Sequence, residues 1–419
     1  MLDINNVENY MFNVHLSKIV GLYQVLNPNS LKIFGYNAFH ILALCGVMYV
    51  IGISVFVLLS LYFWMHDVVQ FFSQLIVLQN IIFMNYKIIN VIIKSDAIWN
   101  CLAVVDFDCT AFKRYDKRML KVWRKRSILY TNVVAGAVYL LAAIWIVSPY
   151  ILKETYVKAK HQDGTFSVFH YNVFNMYFLV TDTVYNKYFF LFHLIESSLA
   201  LAIGVITVIP DIVMIMLCIA ITGQLDVLMT GLKNVGYDNQ RTLESNSIVN
   251  GKTNAHETFQ DLLLIIADHQ FIIKKAEDFC NIFRPIIFSQ ILVYSSSLVV
   301  YSFISFANYF NGATFDAIHV FKTVSALLVF VLHLFMLCYL FGNVNEKKDS
   351  IIFALYSSNW PEMDGKCKQL VLLTMQMNNA NLVKLRITEK KVVNLEFFVS
   401  TLNVCFSIFS LLKHYSKRP

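Results

Sequence analysis

The sequence predicts an all-α integral membrane protein with seven transmembrane helices. Of its 419 residues, 57% are apolar and only 15% are charged, too few polar side chains to cover a water-soluble fold of this size. Seven stretches have the length and apolarity of a membrane-spanning helix. They are residues 38–64, 68–93, 127–152, 188–222, 285–307, 317–341 and 392–412.

The distribution of Lys and Arg predicts which side of the membrane each segment occupies. Of the 34 Lys and Arg residues, 25 fall in segments on one side of the spans and 7 on the other, with two inside spans. Because basic residues concentrate on the cytosolic side, we expect a cytosolic N-terminus and an extracellular C-terminus. This orientation is the reverse of a G-protein-coupled receptor, and no Asp-Arg-Tyr-like site follows the third span.

The spans divide the chain into four parts. Residues 1–37 are expected to form a cytosolic arm, and residues 38–341 the first six transmembrane helices with cytosolic extensions of helices four to six. Apolar spacing over residues 261–282 predicts a helix that runs directly into the fifth span. Residues 342–391 predict cytosolic anchor helices broken near Trp360, and residues 392–419 predict the seventh helix with a short extracellular tail.

The seventh span carries polar residues at steps of four, three, four, three and four. They are Glu396, Ser400, Asn403, Ser407, Ser410 and His414. That spacing places them on one helix face, where contact with lipid would cost free energy. Two interpretations remain open: the stripe lines a pore formed by several subunits, or it bonds to neighbouring helices within one monomer.

The sequence shows no motif typical of an enzyme. We find no Cys/His spacing typical of a metal site, no paired carboxylates and no Gly-rich phosphate loop. We therefore predict a protein that is not an enzyme and needs no cofactor. The charged residues inside spans need another explanation. Lys87 and Lys322 are expected to extend to opposite membrane surfaces, and Asp211 to be a structural anchor in the inner leaflet.

Several short motifs occur along the chain in a recognisable order. They are Asp211-Ile212 with residues 224–228, residues 268–270, 276–279 and 285–286, and then 338–343, 354–356 and 359–360, ending in Phe398, Leu402, Ser407, Phe409, Leu411 and Leu412. In order and spacing these motifs resemble those of the insect odorant receptor family. The related gustatory receptors usually end in a Thr-Tyr and Gln-Phe pattern, which is absent here. A gustatory-type ligand-gated channel is therefore the nearer alternative, and a G-protein-coupled receptor the more remote one.

The resemblance implies a tetrameric ligand-gated, non-selective cation channel whose seventh helices line the pore. In this family an odour-tuned subunit assembles with an obligate odorant co-receptor subunit, and the present chain lacks the co-receptor's long insertion before the fifth helix. The implied partners of this heterotetramer are the co-receptor, a small volatile hydrophobic ligand, membrane lipid and permeating cations, without nucleic acid. The implied location is the plasma membrane of olfactory neuron dendrites.

The resemblance also implies where ligand and ions would pass. The ligand pocket is expected among helices two to six in the outer half of the membrane, although helix packing would equally explain most of its candidate residues. Those candidates are Phe71, Phe72, Leu75, Gln79, Tyr139, Ala142, Ile146, Phe192, Ile195, Glu196, Leu199, Tyr301 and Thr323. Ser400, Asn403, Ser407 and Ser410 are the expected pore positions. Leu411 matches the apolar gate and His414 a polar position just outside it.

Overall fold

The computed structural model describes residues 8–112, 115–151, 155–160, 166–237, 251–310, 317–380 and 392–416. Side chains are described for these residues except 160, 251–255, 306–310, 317–319, 379–380 and 412–416. In chain order the described helices are α1 Val14–Ile19, α2 Leu22–Leu26, α3 Ala38–Phe63, α4 Val68–Ile93, α5 Ser95–Cys101, α6 Lys117–Ile151, α7 Asp182–Lys187, α8 Phe189–Asn234, α9 Gly251–Phe310, α10 Ala317–Tyr356, α11 Gly365–Ala380 and α12 Leu395–Ser416. Short 3₁₀ helices cover Leu102–Val105 and Trp360–Glu362.

Six of the described helices are long and apolar enough to cross a membrane, namely α3, α4, α6, α8, α9 and α10. The apolar helix α12, 22 residues in length, follows them. The predicted all-α, seven-span architecture is thereby confirmed. The bounds of α3 and α4 agree with the predicted spans to within one residue. The other long helices continue beyond their apolar segments, because a helix satisfies its backbone equally well in water and in lipid.

Two small antiparallel sheets depart from the purely helical prediction. Strands β1 (Lys32–Ile33) and β2 (Tyr36–Asn37) precede α3, and β3 (Tyr156–Lys160) pairs with β4 (Phe166–His170) after α6. The sequence holds a signal for the second hairpin that the prediction overlooked. Asp163-Gly164 separates two runs of alternating apolar and polar residues, a pattern typical of hairpin connections.

The helix extensions gather at one end of the bundle. We call this the anchor end and the opposite end, which carries β3 and β4, the hairpin end. At the anchor end the Met11 N–H donates to the Val105 carbonyl at 2.9 Å. The Gln224 amide, from α8, donates to the Val104 carbonyl at 3.0 Å, and the Asn359 N–H donates to the Val235 carbonyl at 3.2 Å. The described parts of the segments assigned to the cytosol by charge thus lie together, while the sidedness itself stays a prediction.

Helix α8 forms the centre of the bundle, with α4, α6, α9 and α10 packed around it. Its buried side chains are almost continuous from Ile206 to Leu225. Helix α3 packs on α4, whereas α12 packs on α9 and α10. Because both α3 and α12 lie outside the ring around α8, each leaves one whole face exposed.

The expectation that Lys87 and Lys322 reach opposite surfaces is wrong. Lys87 is fully buried, and its ammonium donates to the carboxylate of Asp211 at 2.5 Å. His333 Nε2 lies 3.5 Å from the second carboxylate oxygen, and the Gln290 amide donates to the first at 3.4 Å. A charge that finds an opposite charge on a facing helix does not have to reach water. Asp211 is thus paired inside the helix bundle, which supports the expected structural role, while its position in the inner leaflet stays a prediction.

Candidate ligand cavity and pore helix

A cavity of about 120 Å³ lies between α4, α6, α8, α9 and α10, in the half of the bundle nearer the hairpin end. Its wall is formed by Ile76, Asn80 and Met84 of α4, Val138, Ala142 and Trp145 of α6, Ala200, Gly204 and Thr207 of α8, Tyr294 and Tyr301 of α9, and Ala326, Phe330 and His333 of α10, with Phe174 from the loop between β4 and α7. The wall is mainly apolar, which suits a small apolar molecule held by shape.

Most polar groups of the wall are already hydrogen-bonded to their own helices. The Thr207 hydroxyl donates to the Ile203 carbonyl at 2.6 Å, and the Asn80 amide donates to the Ile76 carbonyl at 2.8 Å. A ring nitrogen of His333 lies 2.9 Å from the Val329 carbonyl. Among the described residues the Tyr301 hydroxyl and the buried Trp145 indole N–H have no hydrogen-bond partner, so these two groups are available to orient a ligand.

The predicted ligand residues are distributed unevenly around this cavity. Ala142 and Tyr301 line it. Phe72 stacks edge-on against Phe303 with ring centroids 5.5 Å apart, in the apolar cluster that also holds Tyr301. Gln79 donates to the Ser296 hydroxyl at 2.5 Å. Neither Phe72 nor Gln79 lines the cavity itself. The same holds for the remaining candidates, which are Phe71, Leu75, Tyr139, Ile146, Phe192, Ile195, Glu196, Leu199 and Thr323.

The cavity lies deeper than the predicted positions on α4 and α8. On α8 the predicted side chains end at Leu199, whereas the wall begins at Ala200 and ends at Thr207. Sequence reasoning did not include Trp145 or Phe174 among the candidates, and it favoured a packing role over ligand contact for His333. A weak signal existed on α4, where Ile76, Asn80 and Met84 follow at steps of four and so share one helix face.

The polar stripe of α12 faces away from the rest of the chain. Glu396, Ser400, Asn403, Ser407 and Ser410 are all exposed. On the opposite side of the helix, Phe398 packs edge-on against Phe335 with centroids 5.6 Å apart, and the Cys405 thiol donates to the Ser295 carbonyl at 3.6 Å. The gate candidate Leu411 is 58% exposed. His414 lies within the helix, with its side chain outside the described part.

Polar residues of the recognised motifs hold the anchor end together. The Asp268 carboxylate accepts the N–H groups of Ala111 and Phe112 at 2.6 and 3.0 Å and the Tyr115 hydroxyl at 3.3 Å. Burial, and then the charge of Asp268, raise the pKa of Tyr115. Within the described residues no group of three His, Cys, Asp or Glu side chains is placed to hold a metal ion.

Seven apolar helices, with α8 at their centre and a ligand-sized cavity between them, define a multi-pass membrane protein of the receptor type. Residues 67–406 match the family model described as 7tm Odorant receptor. The chain belongs to this odorant receptor family, a family of receptors rather than enzymes, and is a multi-pass protein of the plasma membrane.

Individual relatives agree with this membership. Odorant receptor 46a of Drosophila melanogaster is 32% identical over 124 residues in isoform B, covering 30% of this chain and 31% of that protein. Isoform A is 28% identical over 98 residues, covering 23% and 26%. The alignments thus span about a third or less of these relatives.

The fold agrees over almost the whole chain with the insect olfactory receptor OR5 from Machilis hrabei. The structure in complex with eugenol has a TM-score of 0.71 at 16% identity and covers 96% of this chain and 99% of that one. A second structure of the same receptor has a TM-score of 0.70 at 15% identity and covers 95% of this chain and 98% of that one. At this identity the likeness shows a shared fold.

Proposed function

We propose that this chain is the odorant-binding subunit of a ligand-gated, non-selective cation channel. A small volatile, largely apolar molecule binds in the cavity and opens a pore lined by α12 of several subunits. The observation that carries the proposal is the combination of a mainly apolar cavity inside the bundle and a polar stripe on α12 that faces away from the protomer.

The cavity supports binding of a small apolar ligand. Burying apolar surface gains about 25 cal/mol per Å², so contact with Trp145, Phe174 and Phe330 would provide most of the affinity. The Tyr301 hydroxyl would then distinguish ligands that carry a hydrogen-bonding group. Machilis hrabei OR5 has been solved in complex with eugenol, and we extend small-molecule binding to this chain, with the cavity as its site.

The stripe supports a pore between subunits. Hydroxyl and amide groups such as those of Ser400, Asn403 and Ser407 face out from the protomer, where lipid contact would cost free energy. A ring of such helices would place them around water, with Leu411 as an apolar constriction that closes by dewetting. We propose a heterotetramer with the odorant co-receptor, with the N-terminus cytosolic and the C-terminus extracellular.

The proposed function is tested by recording current with and without the co-receptor over an odorant panel. We expect current only when both subunits and an active odorant are present. Two results would contradict the proposal. One is an odorant-evoked current although the odorant does not bind to this chain. The other is the absence of current with every odorant although both subunits reach the cell surface.

The cavity is tested by a matched pair of substitutions on α6. Ala142→Phe places a ring in the cavity, while Ala143→Phe places the same ring on the exposed face of the same helix. We expect Ala142→Phe to raise the EC50 of an active odorant at least ten-fold and Ala143→Phe to leave it unchanged. Equal effects of the two substitutions would show that the ligand binds elsewhere.

The pore is tested by cysteine accessibility along α12. A water-soluble thiol reagent should reduce open-channel current in Ser400→Cys, Asn403→Cys and Ser407→Cys but not in the wild type. The same reagent should not act on Phe398→Cys or Leu402→Cys, which lie on the packed face. Modification of the packed face alone would place the conduction path elsewhere.

The gate is tested at Leu411. Replacement by Ser removes an apolar constriction, so we expect basal current to rise without odorant. Unchanged basal current and ion permeability in Leu411→Ser would assign the gate to another position.

A further inference from the structure

The loop between β4 and α7 enters the helix bundle at the hairpin end. We call residues 171–178 the plug. Asn172 and Val173 are 0% and 1% exposed, and Tyr171, Met176 and Phe178 are also buried. Loops normally run over the surface, because their backbone groups need hydrogen-bond partners. A buried loop must therefore receive those partners from the helices around it.

Glu196 of α8 supplies two of these partners. Its side chain is fully buried, and its two carboxylate oxygens accept the N–H groups of Phe174 at 2.6 Å and Met176 at 2.9 Å. A carboxylate that accepts backbone N–H groups forms stronger hydrogen bonds than a neutral acceptor. Both oxygens are therefore committed to the plug.

Lys322 of α10 holds the plug from the opposite side. Its ammonium donates to the Val173 carbonyl and to the Tyr171 hydroxyl, both at 2.7 Å. It also lies 4.3 Å from the centroid of the Trp145 ring, within the range of a cation–π interaction. Glu196 and Lys322 are close enough to attract each other electrostatically, so the plug is held between two buried opposite charges.

Two further helices hold the same segment. The Gln74 amide of α4 donates to the Phe174 carbonyl at 2.5 Å. Following α3, the Trp64 indole donates to the Asn175 carbonyl at 3.1 Å, and the Ser60 hydroxyl of α3 accepts the Tyr177 N–H at 2.7 Å. The plug is thus joined by polar contacts to α3, α4, α8 and α10.

Both charged residues contact the cavity wall without being part of it. Phe174 and Trp145 line the cavity with ring centroids 5.7 Å apart. Glu196 bonds to the backbone of Phe174, and Lys322 lies on the face of Trp145. Neither Glu196 nor Lys322 lines the cavity. The position of both aromatic rings therefore depends on two charges that a ligand does not have to touch.

We propose that Glu196 and Lys322 are positioning residues that set the size limit for ligands by fixing Phe174 and Trp145 as the wall of the cavity at the hairpin end. The inference rests on the proposed function, because it concerns which molecules open the channel. Loss of either charge releases the plug from one of its buried contacts, and the cavity then admits longer ligands of the same chemical type.

The test uses homologues of an active odorant lengthened by one to four methylenes, with EC50 measured in cells that also express the co-receptor. Phe174→Ala removes the ring directly, so each methylene newly admitted should lower the EC50 about four-fold relative to wild type. We expect Glu196→Gln and Lys322→Met to shift the preferred length in the same direction. The double variant Glu196→Gln/Phe174→Ala should shift it no further than Phe174→Ala, because residues acting through one element are not additive.

Lys187→Met is the matched control, since Lys187 is an exposed cation at the same end of the bundle and should keep the wild-type length preference. Surface labelling separates folding from selectivity, and Glu196→Asp, with a shorter carboxylate, replaces Glu196→Gln if the latter does not reach the surface. An unchanged length preference in surface-expressed Glu196 and Lys322 variants overturns the inference, as does a full additive shift in the double variant. Absence of odorant-evoked current in the wild type would instead contradict the proposed function.

Discussion

Helices α8 and α12 are both apolar, yet they are packed in opposite ways. In α8, Val208, Ile212 and Val213 are fully buried, whereas in α12 Val399 and Phe406 are 54% and 70% exposed. Polar groups differ in the same sense. Asp211 of α8 is paired within the bundle, while the exposed Ser407 hydroxyl donates only to the carbonyl of Asn403, on its own helix.

This difference in packing indicates different roles for α8 and α12. A helix that is buried all round fixes the positions of its neighbours, and any change in it is felt by all of them. A helix with one packed face leaves the other available to surroundings outside the protomer. The two can be separated by substitutions, since changes in α8 should act mainly on stability and changes in the α12 stripe mainly on conduction.

The largest effect is expected at Asp211. Asp211→Ala leaves the ammonium of Lys87 buried without its partner, which costs about 3–5 kcal/mol of stability. Thermal unfolding of the detergent-solubilised protein should show a large fall in Tm. Asp226, which pairs with Lys347 at 2.6 Å in a partly exposed site, is the matched control, and Asp226→Ala should cost far less. Similar decreases in Tm for the two variants would contradict the distinction between the fully buried pair at Asp211 and the partly exposed pair at Asp226.

The transmembrane spans can be predicted from the sequence, but the side-chain contacts between the helices cannot. Long apolar segments such as 68–93 specify a transmembrane helix locally, so α4 was predicted with its bounds. The pairing of Lys87 with Asp211 joins residues 124 positions apart, and no local pattern indicates it. Each lysine alone fits the expectation that it extends to water.

The depth of the cavity was missed for a related reason. Phe192, Ile195 and Glu196 of α8 are expected to face a ligand because the family resemblance places the pocket in the outer half of the membrane. In the structure the plug occupies that space, with Phe178 packed on Phe192 at 4.9 Å between centroids. A loop that folds into a bundle displaces the cavity away from the bundle end, and its apolar residues resemble those of any other loop or strand.

Protonation of His269 should have the second largest effect. The side chain of this α9 residue is buried at the anchor end, and burial, followed by the charge of Lys348, lowers its pKa to about 4. The unfolded chain binds a proton near pH 6.5, whereas the folded chain does so only near pH 4. Stability is therefore full above about pH 6.5 and falls as pH decreases towards 4, by about 3 kcal/mol.

The measurement is the pH dependence of Tm between pH 7 and 4 for the wild type and His269→Gln. The variant removes the titrating group, so its curve should be flatter over this range. An identical slope in both proteins would mean that water reaches the ring in the folded state.

Close packing of α8 predicts a smaller effect at Gly231. A Cβ added there would lie 2.5 Å from the Tyr115 ring, which is hydrogen-bonded to Asp268. Gly231→Ala should therefore cost about 1–3 kcal/mol. Gly52 of α3 has no atom within 4 Å of its added Cβ, so Gly52→Ala should be neutral or stabilise by up to about 1 kcal/mol. Opposite signs in Tm would confirm that α8 and α3 differ in packing, and a loss of equal size in both would contradict it.

The smallest effect on stability is expected in the α12 stripe. Ser407→Ala removes a hydroxyl that is exposed on the protomer and bonded only to its own helix, so Tm should change by less than the equivalent of about 0.5 kcal/mol. Single-channel conductance should nevertheless change, because the hydroxyl would face permeating cations in a pore formed by several subunits. Thr401→Ala, which removes a half-buried hydroxyl from the packed side, should leave conductance unaltered. A fall in Tm with unchanged conductance in Ser407→Ala would instead place the stripe against a neighbouring helix, and α12 would then be a structural helix like α8.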